Sequence, residues 1–94
     1  MIGGNKVKAF NIFDYQGKYA MHCDTEEKAK IFCKYLDSFG MKWRSGESYK
    51  YTNWDTVKEE TTYMFNEGSY CRVSFYKGVV LEFDDFYFEK YEWE

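Results

Sequence analysis

One stretch of this chain, DTEEKAKIFCKYLDSFG at residues 24–40, repeats its apolar side chains at helical spacing, and it is flanked by runs that alternate at strand spacing. Ala29, Phe32, Cys33 and Leu36 fall on one face of a helix over residues 25–39. Asp24 followed by Glu27 has the spacing of an N-terminal cap box, and Gly40 is placed to end the helix. One amphipathic helix must bury its stripe against another element, so the strand-like runs have to supply the second layer.

Those runs are KAFNIF and KYAMHC, separated by DYQGK with Gly17 as turn former, which the spacing predicts as a hairpin. MKWR reads as a returning strand. TTYMFN, SYCRVSFY and VVLEF read as three more strands, joined by turns at NEG and KG. In SYCRVSFY, alternation separates Tyr70, Arg72, Ser74 and Tyr76 from Cys71, Val73 and Phe75, and the second set is expected to face the core. SGESYKYTNWDTVKE is a polar, aromatic-studded loop with room for a short helical turn, and DDFYFEKYEWE fits an edge strand or a short helix. The expected fold is α+β: a mainly antiparallel sheet of about five to six strands with the 25–39 helix packed on one face, in a single domain over residues 1–94.

A chain of 94 residues buries a modest share of its unfolded surface, so its core must be dense. Ten Tyr, nine Phe and three Trp supply that density, since each ring brings a large apolar area. Three cysteines cannot all pair with one another, and no apolar leader or bilayer-length segment is visible, which points to a reduced, cytoplasmic protein without a membrane span. Charge is divided unevenly: residues 1–54 hold nine Lys/Arg against six Asp/Glu, whereas residues 55–94 hold four against ten. A net charge of −3 argues against general nucleic-acid binding, which needs a basic footprint.

His22, Cys23, Cys33 and Cys71 are the only nitrogen and sulfur ligand candidates for a structural zinc, and no CxxC spacing occurs. His22 and Cys23 are consecutive in a strand, so they leave on opposite faces and do not share a tetrahedral centre. The same geometry opposes a Cys/His nucleophilic pair, because the base must lie within hydrogen-bond reach of the thiol. There is no Walker loop, GxGxxG or HExxH, so no cofactor, metal or catalytic residue is expected and the chain reads as a non-enzyme.

The run HCDTEEKAKIFC, followed by GMKWRSGESY, then Trp54 and TTYMFN, resembles a family of small proteins of Gram-positive bacteria and their phages and prophages. That family carries the pattern HCxTEEEAxxFCxxLxxxGxxWxSGxSY ahead of a Tyr-rich C-terminal sheet. The similarity spans about residues 10 to 83, with Lys28 where the family often has an acid and Arg44 where it often has Cys. The resemblance implies an accessory protein that acts by binding, of the kind used in counter-defence: an anti-CRISPR-like inhibitor or a nucleotide-sequestering sponge.

Two binding surfaces follow from the residues. The first is acidic and Tyr-rich: Glu82, Asp84, Asp85, Tyr87, Glu89, Tyr91, Glu92 and Trp93, with Glu94, could dock on a host protein such as a CRISPR nuclease or other defence effector, in a groove that normally holds phosphate backbone. The second is WRSGESYKYTNW, where Trp43, Arg44, Ser45, Tyr49, Lys50, Tyr51 and Trp54 offer rings to stack a base and cations and hydroxyls to hold a phosphate, as a nucleotide binder requires.

Overall fold

The computed structural model describes residues 8–88 of the chain. The principal helix, α1, spans Glu26–Ser38, with Ala29, Phe32, Cys33, Tyr35 and Leu36 buried. Its cap is Thr25, whose extended backbone lets the side chain accept from the Lys28 amide at 3.2 Å. Asp24 lies one residue further out and instead meets the Lys28 ammonium at 2.7 Å, so the cap falls one position later than expected and, with Lys28 three residues on, the expected box does not form. At the other end Gly40 takes φ +75°, and its N–H and that of Met41 close onto the carbonyls of Asp37 and Leu36.

Six strands occur among the described residues: β1 (Lys8–Ala9), β2 (Tyr19–His22), β3 (Thr61–Met64), β4 (Ser69–Arg72), β5 (Val79–Glu82) and β6 (Phe86–Tyr87). A second, four-residue helix, α2, spans Trp54–Val57. The class is α+β, as expected, and the strands form a four-stranded sheet in the order β4-β3-β2-β5 and a separate β1-β6 pair. The pairing is mixed: β2-β3 and β3-β4 are antiparallel, while β2-β5 and β1-β6 are parallel.

The β3-β4 hairpin forms as the sequence predicts. Gly68 in its turn has φ +70°, and a Cβ there would come within 2.7 Å of the Arg44 amide nitrogen, so only glycine lets residues 42–44 lie against the turn. The first expected hairpin does not form. Phe10 and Ile12 are drawn into the core, residues Ile12–Asp14 make a 3-10 turn capped by Asn11, and the Tyr35 hydroxyl accepts from the Ile12 amide while donating to the Phe10 carbonyl. The segment therefore does not lie beside β2, and β1 pairs with β6 instead.

The KG hairpin is also absent, because β4 and β5 lie on opposite edges of the sheet and run parallel. The chain between them turns at Val73–Phe75 and passes β3 and β2 to reach the far edge of the sheet. The sheet face opposite α1 carries Ala20 and Thr62, both fully buried. The expected core face of SYCRVSFY is accordingly reversed. Tyr70 pairs with Tyr63, which pairs with Met21, on the α1 side, whereas Cys71 is half-buried and Phe75 is 66% exposed. MKWR contributes only an isolated bridge between Lys42 and Ser48. In the tail, Phe83–Asp85 form a 3-10 turn before β6.

The core has an aromatic hub. Around Phe10, ring centroids of Phe86, Tyr15, Tyr35, Phe88, Phe32 and Phe65 lie 5.2 to 6.0 Å away, mostly edge to face. A smaller group gathers on Trp43, with Tyr49 at 4.4 Å, Tyr70 at 5.7 Å and Tyr63 at 5.9 Å.

Candidate functional site

The polar face of α1 does not look out on open solvent along its whole length. Glu26, Lys30, Lys34 and Asp37, spaced one helical turn apart, form one wall of a groove of about 730 Å³. Residues 49–56 form the other wall. That volume lies in the range of small-molecule sites, roughly 300–1,000 Å³.

The loop wall is held by backbone acceptors and short side chains. Ser48 donates to the Asp37 carboxylate at 3.2 Å and accepts from the Lys50 amide at 2.9 Å. The buried Trp43 indole donates to the Tyr51 carbonyl at 2.7 Å, and the Tyr63 hydroxyl donates to the Thr52 carbonyl at 2.6 Å. Asn53 then adopts a left-handed backbone, φ +58°, which opens α2; Lys58 closes it at φ +52°, ψ −124°, a conformation costly for any residue with a Cβ. The Lys58 amide donates to the Trp54 carbonyl, tying the turn to the groove wall.

Two polar atoms of groove-lining residues, Tyr49 Oη and Trp54 Nε1, are buried without a hydrogen-bond partner among the described residues. Native interiors pair nearly all such atoms, so two in one wall mark it out. Burial, with Cys33 nearby, pushes the Tyr49 phenol well above its ordinary pKa and keeps it a neutral hydroxyl.

Of the seven loop residues singled out in the sequence, Tyr49, Lys50, Tyr51 and Trp54 line this groove. Trp43, Arg44 and Ser45 do not; they border a separate depression of about 170 Å³ beside Gly68 and Tyr70. Arg44 is exposed there, with its Nε donating to the Glu67 carbonyl at 3.3 Å. The residues that sequence reasoning missed are Lys30 and Lys34. Their one signal was the four-residue spacing on the polar side of α1, which any solvated helix face shares.

At the acidic edge, Glu82, Asp84, Asp85 and Tyr87 are exposed. Two of these carboxylates already have internal partners: Glu82 meets His22 Nδ1 at 2.8 Å, and Asp84 meets the Lys28 ammonium at 2.8 Å. Lys28 is shared with Asp24, which raises the lysine pKa and lowers that of Asp24. Glu89, Tyr91, Glu92, Trp93 and Glu94 lie outside the described residues.

The thiols are placed apart in character. Cys23 and Cys33 are buried and Cys71 is half-buried, all three free. Burial pushes the Cys23 thiol well up and Cys33 to about 12, so neither is a thiolate nucleophile at neutral pH. No group of three or more His, Cys, Asp or Glu among the described residues is arranged to hold a metal ion. No helix among them is long and apolar enough to cross a membrane. Searches with family models, against curated proteins and against solved structures gave no match for this chain.

Proposed function

We propose that the protein is a non-catalytic binder of a small, ring-bearing anion of nucleotide size, held between α1 and residues 49–56. The observation that carries this reading is the groove itself: about 730 Å³, with the 61% exposed Tyr51 ring and Trp54 on one wall and Lys30 and Lys34 on the other. Tyr and Trp faces stack planar heterocycles, and lysine ammonium groups hold phosphate as point charges. Three lysines, Lys30, Lys34 and Lys50, are balanced in the lining by Glu26, Asp37 and Asp55. The balance favours a ligand with a single negative charge, such as a cyclic mononucleotide, over a polyphosphate.

Calorimetry with adenosine, cyclic AMP and ATP tests this, together with mass spectrometry of any small molecule released on heating the purified protein. Cyclic AMP should bind at least as tightly as ATP, and Lys30→Ala or Lys50→Ala should weaken it about tenfold or more, the size of a lost charge-assisted hydrogen bond. An absence of both heat and a released molecule overturns the reading.

A second reading places a protein partner on the acidic edge. It is supported by Asp84, Asp85 and Tyr87, exposed and close in sequence, with Asp84 69% exposed despite its pairing to Lys28. The resemblance to small phage proteins suggests a host defence effector, such as a CRISPR nuclease, as the partner. Asp84→Asn with Asp85→Asn should then slow association and blunt its salt dependence in surface-plasmon kinetics against whatever a host-lysate pull-down yields.

A further inference from the structure

His22 lies on the sheet face opposite α1, and both nitrogens of its ring face acceptors. Nδ1 is 2.8 Å from the Glu82 carboxylate, and Nε2 is 2.8 Å from the Glu59 backbone carbonyl. Neither acceptor can donate when Glu82 is ionised. A neutral imidazole has one N–H and one lone pair, so it can satisfy one of these contacts and must oppose the other. With Glu82 ionised, both contacts are satisfied together only when the ring carries two protons.

The Glu59 carbonyl belongs to the Lys58–Glu60 turn, which enters through Lys58 at positive φ. That turn is bonded to the groove wall by the Lys58 amide, which donates to the Trp54 carbonyl. We propose that protonated His22 is a clamp: while it donates to both Glu82 and Glu59 it holds the Lys58–Glu60 turn and the Trp54–Val57 wall of the groove in place, and when it loses a proton that wall loosens. The consequence for a ligand rests on the groove being a binding site; the clamp itself does not.

The charged groups around His22 favour this state. Burial of the ring works against the charge, but the Glu59 carbonyl, the Glu82 carboxylate and Asp24 outweigh it, so the pKa lies above the ordinary 6.5. Lys28 of α1 is engaged by Asp24 and Asp84. On the turn, Glu60 meets Arg72 of β4 at 3.7 Å. That pair is a second, weaker hold on the same turn.

The test is a pH titration of the full chain from about pH 5 to about pH 9, followed by the His22 ring nitrogens and backbone amides in NMR spectra. The expected result is a His22 midpoint above 6.5, two protonated nitrogens below it, and amides of Trp54, Lys58, Glu59 and Glu60 that shift with the same midpoint. Hydrogen exchange at these amides, corrected for intrinsic rates, should be about tenfold faster above the midpoint than below it. A midpoint at or below 6.5, or amides at 54–60 that ignore it, overturns the clamp. Glu82→Gln keeps the neighbouring strands and should lower the midpoint; His22→Gln should abolish the pH response of the turn.

Repeating cyclic AMP calorimetry on either side of the midpoint separates the two ideas. Tighter binding at the lower pH supports both. Binding that ignores pH while the amides respond overturns the link from clamp to ligand. If cyclic AMP and the other nucleotide probes do not bind at either pH, the ligand reading fails and the amide shifts alone decide the clamp.

Discussion

The region around Phe10 and the region from Tyr49 to Glu60 solve opposite problems. Around Phe10 every feature agrees: rings meet edge to face, the Tyr35 hydroxyl both donates and accepts, and the backbone turns through a capped 3-10 turn. Between Tyr49 and Glu60 the same chain leaves Tyr49 Oη and Trp54 Nε1 unpaired and holds Asn53 and Lys58 at positive φ. Local conflicts of this kind destabilise a fold unless other contacts override them, and they gather where a protein binds or switches. The hub stabilises; the groove wall draws on that stability.

The comparison breaks most directly at the hub. Phe10→Ala removes a ring that touches six others, and the fold should lose about 3–5 kcal/mol, read as the shift of a urea or thermal unfolding midpoint. A loss under about 1 kcal/mol would mean that the β1-β6 end of the molecule is not part of the cooperative unit.

A smaller effect belongs to the thiol between the two regions. Cys33 is buried on α1 and contacts the Tyr63 hydroxyl. Cys33→Ser exchanges a soft, weakly polar atom for a hydroxyl in the same site and should cost about 1–3 kcal/mol. With a thiol reagent on the native protein, Cys71 should react first, and Cys23 and Cys33 only as the protein unfolds. Equal rates for all three would place α1 differently from the arrangement described.

Stability should also depend on pH through His22. Its folded-state pKa is raised, so its contribution is complete below the unfolded value of 6.5 and is lost as pH rises through the folded value. The melting temperature should therefore fall across that window in wild type, and the fall should shrink in His22→Gln. An unchanged slope would show that the ring is neutral in the fold.

How much of this could be read from the sequence depends on how local each signal is. The helix and the β3-β4 hairpin were legible because 3.6-residue spacing and a glycine turn are properties of a dozen neighbouring residues. The parallel pairs β2-β5 and β1-β6 were not, since they join residues about 60 and 78 positions apart and no local pattern encodes them. For SYCRVSFY, alternation holds only over Ser69–Arg72, since Val73–Phe75 turn out of the strand, and which face of that half is covered depends on where α1 sits, a tertiary fact. The groove was half legible. Tyr49, Lys50, Tyr51 and Trp54 stood out by composition, whereas Lys30 and Lys34 carried only the pattern of an exposed helix face.

The finest test of the contrast between hub and wall is Lys58→Gly. At φ +52°, ψ −124°, the lysine Cβ crowds its own backbone, a strain of about 1–3 kcal/mol for a residue other than glycine. Glycine removes that strain but brings a more flexible unfolded chain, which costs roughly 0.5–1 kcal/mol. The two terms leave a net gain of about 1 kcal/mol, visible as a higher unfolding midpoint with unchanged slope in urea. The ammonium is exposed, so its loss should add little. If the wall is strained because a ligand or the His22 clamp needs it so, the variant should be more stable and yet show weaker coupling between His22 and the Trp54 amide. A variant that is less stable than wild type would mean that Lys58 makes a contact which outweighs its backbone, and the conflict attributed to the groove wall would then rest on the unpaired atoms of Tyr49 and Trp54 and the left-handed Asn53.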